Sequence, residues 1–271
     1  MSKNYLPDIK VIRKPFAFVK RVVLILLILS LVLGTFMLAD VCSNALTFSA
    51  VGLGLKNNER VNVEKYSLFA IVMGTYDNKQ DAEKVALGLQ VQGAAGYIWQ
   101  SNNKYLVLGS IYDEKEKADT VINNMGKTNY NPQVFEIKFS KLSLVIKGIS
   151  KEDNVLITDS FSFLKKIYSE IYAYSVNYDS SISSNLAISS SLNTIKSETK
   201  VNISKLQELS ARVDSHYINH IKDTFILIDS SIDTAVYRTL TDSGINYYLK
   251  YLMCEIVELS YKLNISLLKS K

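Results

Sequence analysis

The sequence predicts an α+β chain: an N-terminal transmembrane helix, a ferredoxin-like (RNP-like) βαββαβ domain with a four-stranded antiparallel sheet, and an α-helical bundle. Three observations carry this reading. A run of 18 residues without a charge follows a cationic head. Residues 66–140 alternate short apolar runs with amphipathic segments in two self-similar halves. Beyond Gly148 the apolar residues recur at steps of three and four.

The head spans residues 1–21, where Lys3, Lys10, Arg13, Lys14, Lys20 and Arg21 face only Asp8, so the whole net charge of +5 sits there. The rest of the chain is neutral. That argues against a nucleic-acid-binding domain, which needs a basic patch to neutralise phosphates. Val22 to Ala39 is long enough to cross a bilayer, and the positive flank keeps the N-terminus cytoplasmic and the C-terminal bulk extracytoplasmic. A cleaved signal peptide is the alternative, since Ser43-Asn44-Ala45 resembles a cleavage site, but the apolar run is longer than a signal core of ~7–15 residues. The two cysteines, Cys42 and Cys254, describe no disulfide framework. Residues 40–65 read as a stalk.

From residue 66 the pattern is strand, helix, strand, strand, helix, strand. Phe69 to Met73 is an apolar run closed by Gly74, and Ala82, Val85, Ala86 and Leu89 then share a helical face. Gly93 and Gly96 stop that helix. Tyr97-Ile98-Trp99 and Tyr105 to Leu108 flank Ser101-Asn102-Asn103-Lys104, a hairpin signal. A second helix runs from Glu114 to Met125, and a last strand surrounds Gln133 to Phe139. The halves repeat: Gly74-Thr75-Tyr76-Asp77 leads to Ala82-Glu83, and Gly109-Ser110-Ile111-Tyr112-Asp113 leads to Ala118-Asp119. In each, an Asp is expected to accept from the free amides of the helix start, and an Ala to let the helix approach the sheet.

Phe69, Ile71, Gly74, Thr75 and Tyr76, followed by Ala82-Glu83, Leu106, Gly109 and Ala118, resemble the SPOR (sporulation-related repeat) domain, a bacterial module that binds septal peptidoglycan. The resemblance covers about residues 66–139. It departs from the family at Val72, where a Gln is usual, and at Tyr105, where Arg is frequent. It implies that glycan strands bind the sheet face away from the helices. By alternation that face presents Ala70, Val72, Tyr105, Val107 and one of Tyr97 or Trp99, with polar partners from Gln100, Asn103 and the rest of the hairpin. The glycan-binding set is therefore Val72, Tyr97, Trp99, Gln100, Asn103, Tyr105 and Val107. Strands apolar on both faces also fit a sheet covered on both sides, with the C-terminal half as the cover.

Residues 141–152 read as a linker and 153–271 as a helical domain. Its stripes are Phe161, Leu164, Tyr168, Ile171, Ser175, Tyr178; Leu192, Ile195, Thr199, Asn202, Leu206, Leu209, Val213; Ile221, Phe225, Ile228, Ile232; and Ile245, Leu249, Leu252, Ile256, Leu259, Leu263. Ser-rich residues 180–191 and the stretch 241–244 break them. Short breaks favour antiparallel neighbours in a bundle of three to four helices, a longer self-associating coiled coil being the alternative.

No phosphate-binding loop, nucleophile elbow or Cys-x-x-Cys pair is present. His216 and His220 are spaced as in a zinc helix, but Tyr217 stands where that motif has its glutamate. The expectation is a non-enzymatic protein without cofactor or metal. It would be membrane-anchored, bind septal peptidoglycan in cell division or sporulation, and contact other septal membrane proteins. The alternative is an extracytoplasmic protein-interaction scaffold whose SPOR-like sheet no longer binds glycan and packs on the helical domain or a partner.

Overall fold

Apolar runs bounded by turn residues form strands, and the three-four stripes form helices. The computed structural model describes residues 58–126, 129–241 and 245–270. The elements are β1 (Asn58–Val63), β2 (Tyr66–Tyr76), α1 (Lys79–Val91), β3 (Tyr97–Ser101), β4 (Lys104–Tyr112), α2 (Lys115–Asn124), β5 (Gln133–Phe139), β6 (Leu142–Lys147), α3 (Lys151–Asp179), α4 (Asn185–Arg212), α5 (His216–Thr241) and α6 (Ile245–Lys269). The cationic head, the 22–39 span and most of the stalk lie outside the described residues. Among the described residues no helix is long and apolar enough to cross a membrane.

Four strands form one antiparallel sheet in the order β3-β4-β2-β5, the order of a split βαβ duplication. Helices α1 and α2 cover one face through Ala82, Ala86, Leu89 and Ala118, which pack on Ile71, Met73 and Val107. Both repeat alanines, Ala82 and Ala118, are fully buried there. The expected role of the repeat aspartates is corrected. Asn78, not Asp77, caps α1 by accepting from the Asp81 amide at 2.9 Å, and Asp77 pairs instead with Lys104. Asp113 sits one residue before the N-cap position of α2 and pairs with Lys117 at 3.0 Å. Gly96 follows α1 at φ +55, and a Cβ there would run into the Ala86 carbonyl, so only glycine fits this return to the sheet.

Two segments read as unstructured are strands. β1, within the stalk, pairs antiparallel with β6, within the linker, from Asn58↔Lys147 to Val63↔Leu142. Leu142, Leu144 and Ile146 point inward while Ser143, Val145 and Lys147 point out, a period-two pattern compressed into six residues. In β1 only Val61 and Val63 show it, because Glu59 and Arg60 interrupt the apolar series.

The helical half is a four-helix bundle in which α3 packs on α4 and α6, α4 on α5, and α5 on α6. A capping box opens α3: Ser150 Oγ accepts from the Asp153 amide at 3.2 Å and Asp153 Oδ2 accepts from the Ser150 amide at 2.9 Å. The Ser-rich break is shorter than its composition suggests, because Ser184 caps α4 and residues 185–191 are helical, with Ile188 and Leu192 buried. Helix α6 packs against β3, β4, β5 and β6, and α3 against β1. One apolar core runs from the second face of the sheet, through the β1-β6 ribbon, into the bundle. The architecture is thus a pair of helices, a sheet, and a four-helix bundle in three layers.

Candidate functional site

The residues expected to hold glycan divide between three surroundings. Val72, Tyr97 and Trp99 point to the face opposite α1 and α2, with Leu106 and Leu108, and that face is closed. Trp99 is 4% exposed and Tyr97 8%. The Trp99 ring lies 5.6 Å from Tyr261 of α6, Tyr97 meets Tyr251 edge-on at 4.9 Å, and Phe139 meets Tyr261 at 5.8 Å. Polar groups are matched across the same junction. Tyr97 Oη donates to Glu258 at 2.5 Å, and Asn264 bonds both the amide and the carbonyl of Ser140 at 3.0 Å. Lys250 reaches the Gly93 carbonyl at 2.8 Å and Asp179 at 2.7 Å. Burial and the hydrogen bond to Glu258 together raise the Tyr97 phenol above its ordinary range.

Tyr105 and Val107 are on the other face, a correction to the alternation read from sequence. Asn102 (φ 48) and Asn103 (φ 60) form a two-residue turn with both central residues left-handed, so Ser101 pairs with Lys104, Gln100 with Tyr105 and Trp99 with Leu106. The register shifts between β2 and β4 at Ile71/Val72 and Val72/Gly74 break the alternation that would have set Tyr105 and Val107 beside Val72. Val107 is fully buried under α1 and α2, and Tyr105 packs at the margin of the same cluster. Val72 presents no group to a ligand, and neither does Val107. Asn103 takes the second left-handed position of the turn, and its side chain is exposed.

A third setting remains open. β3 is an edge strand, and a cleft of about 690 Å³ lies beside it between α1 and α6. Tyr97, Gln100 and Tyr105 line it with Gln90 and Glu83 of α1 and Tyr251, Glu258 and Lys262 of α6. Glu258 is held by Tyr97 on one side and by Lys262 at 3.1 Å on the other. Tyr251 and Glu258 lie outside the apolar stripe read for α6, so their share in this cleft needed the docking of α6 to show.

His216 and His220 stand one turn apart on α5 with ring centroids 6.0 Å apart. Among the described residues no group of three or more His, Cys, Asp or Glu is placed to hold a metal ion. Cys254 is fully buried, and burial pushes its thiol up, away from the reactive thiolate.

No family model matches the chain, and no curated protein matches it. Among solved structures it is similar to the solution structure of the peptidoglycan binding domain of the B. subtilis cell wall lytic enzyme CwlC, with 18% sequence identity and a TM-score of 0.24. That similarity covers 26% of this chain and 89% of the CwlC domain.

Proposed function

We propose that this chain is a non-enzymatic scaffold of the bacterial cell envelope, built on a SPOR-like domain whose sheet seats the chain's own helical bundle instead of presenting an open glycan platform. The proposal includes a membrane anchor at residues 22–39 and an extracytoplasmic location for the folded part, a layout similar to stage II sporulation protein B. One observation carries the reading: the face that the SPOR resemblance assigns to glycan is closed by α6, with Trp99 4% exposed. Apolar contact, ring pairs and matched hydrogen bonds at that junction are those of an interior, and separating them would expose Val72, Leu106, Leu108 and Trp99 together. The surfaces left for partners are the outer faces of the bundle and the β3 cleft.

Direct binding of septal peptidoglycan is the second reading, and the β3 cleft favours it. Tyr97, Gln100 and Tyr105 come together there with Glu83, Gln90 and Glu258, a combination of rings for stacking and polar groups for hydroxyls.

Sedimentation of the protein with purified peptidoglycan sacculi, before and after removal of stem peptides, separates the two. The scaffold reading expects no pelleting above the level of a non-binding control. Pelleting that is lost in Gln100→Ala and Tyr105→Ala variants would replace it with binding in the cleft. Pelleting that survives both substitutions but is lost in Trp99→Ala would mean that the sheet face opens, and would overturn the closed-face reading.

A further inference from the structure

The sheet ends at β3, and the backbone of that strand defines what can pair with it. Asn102 and Asn103 close a two-residue turn, so Ser101 and Lys104 exchange main-chain bonds and the pattern repeats at every second residue of the hairpin. Ser101, Trp99 and Tyr97 therefore turn their N–H and C=O groups to β4, and the Ala95 amide continues the series by donating to the Gly109 carbonyl at 2.8 Å. Ile98 and Gln100 turn theirs the opposite way, out of the sheet edge. Gly96 shows the same direction, since its carbonyl accepts from Gln90 of α1 at 3.5 Å. Among the described residues, none bonds the outward amides and carbonyls of Ile98 and Gln100.

These groups open into the cleft between α1 and α6, and they stand at the two-residue repeat of a strand, about 6.4–6.8 Å. A strand laid ~4.8 Å outside β3 would satisfy all of them. The walls set its side chains. Those on the α1 face would meet Ile98, Ala86 and Leu87, which is 63% exposed. Those on the α6 face would meet Tyr251, Glu258 and Lys262. Each wall balances its own charge, Lys79 with Glu83 on α1 and Lys262 with Glu258 on α6, so the cleft favours an uncharged occupant. The β3 of a second copy is recessed between the same two helices and so is not free to supply the strand.

We propose that β3 is an acceptor edge for β-augmentation: it takes an extended, uncharged peptide segment of a partner protein, apolar at alternate positions, as an added antiparallel strand between α1 and α6. Resting on the scaffold reading above, this makes the β3 cleft a receptor for main chain.

The test is calorimetric titration of the full-length protein with acetyl-Thr-Val-Thr-Val-Thr-amide and acetyl-Ser-Ile-Ser-Ile-Ser-amide, with amide hydrogen exchange followed on isotope-labelled protein. Saturable binding of at least one peptide is expected. The Ile98 and Gln100 amides exchange fast in the free protein and become protected in the complex. Two derivatives of each peptide, N-methylated either at both apolar residues or at the three hydroxyl residues, each lose the donors of one edge. One derivative binds within a few-fold of its parent and the other about tenfold or more weakly, having lost its bonds to β3. Gln100→Pro removes one outward amide and leaves the β4 ladder whole, a place where an edge strand tolerates proline. Set against Gln100→Ala to discount the side chain, it weakens the peptide about three- to tenfold. The methylated pair gives the same answer on the unaltered protein. Absence of binding by both parent peptides overturns the proposal. So does equal binding of the two methylated derivatives, or protection of Ile98 and Gln100 already in the free protein, where another part of the chain or a second copy would hold the edge. Sacculus pelleting that is lost in Gln100→Ala would overturn the scaffold reading and put glycan in the cleft. No pelleting together with no peptide binding would leave the scaffold reading standing and overturn β-augmentation alone.

Discussion

Replacing Trp99 by Ala tests the closed sheet face directly. Trp99 is 4% exposed, its ring is 5.6 Å from Tyr261, and it belongs to the core shared by sheet and bundle. Truncating a buried Trp removes its transfer free energy and leaves a cavity, a cost of about 3–5 kcal/mol. For a folded unit of this size a loss of 1 kcal/mol lowers Tm by ~2–4 °C, so the midpoint falls by about 6–20 °C. Urea unfolding of the wild type and variant, followed by circular dichroism, gives the same quantity as a lower midpoint at unchanged slope. Tyr261→Ala and the double variant complete a cycle, with a coupling of about 0.5–1.5 kcal/mol expected for a ring pair. A Trp99→Ala loss below about 1 kcal/mol is the value of a surface residue, and it would refute the argument that α6 closes this face.

Other outcomes follow from the same contacts. Tyr97→Phe removes the hydroxyl that donates to Glu258, whose side chain is 13% exposed, and the expected cost is about 1.5–3 kcal/mol in urea unfolding. Burial raises the Asp153 carboxyl, but hydrogen bonds from Arg212 and the Ser150 amide outweigh it and hold the group below the ordinary carboxylate range. Its folded pKa is depressed, so its contribution is complete above about pH 4 and is lost as pH falls through the folded value; an Asp153→Asn variant shows a shallower acid loss of stability. Burial lifts the Tyr248 phenol to about 12, and Tyr97 rises too, so their neutral forms favour the folded state. That stability is complete below about pH 10 and declines as pH rises further, and spectrophotometric titration should show these phenols ionising late or together with unfolding. In a Cys42→Ser background, Cys254 reacts with a thiol reagent only as fast as the protein opens, since it is fully buried.

The order of elements in residues 66–139 and the four helical stripes were legible because each carries its own period. Ala82 and Ala118 could be assigned to helix–sheet contact because the chain states the same motif twice. Face parity in β4 was lost for want of one fact, the register shift of β2 against β4 around Val72. β1 and β6 were hidden for another reason: their pairing spans the whole four-stranded sheet segment, β1 carries few apolar residues, and the period-two pattern of β6 lasts only six residues. The cover on Val72, Tyr97 and Trp99 is a long-range contact, and local sequence marked it only as an excess of apolar residues on both strand faces. The pairing of Arg238 with the Tyr248 ring left no trace in spacing at all, since it joins two helices across a break.

The helix that seals the sheet leaves the ribosome well after the sheet itself. The sheet is complete in sequence at Phe139, yet α6 begins only at Ile245, roughly a hundred residues later. At ~5–20 residues per second that is on the order of 5–20 s during which Val72, Leu106, Leu108 and Trp99 lack their cover. The nascent chain is adhesive through that interval, and the sheet depends on α6 for solubility as much as for shape. Premature stop codons anywhere before α6 should therefore yield aggregates or chaperone-bound fragments rather than a free, folded N-terminal half.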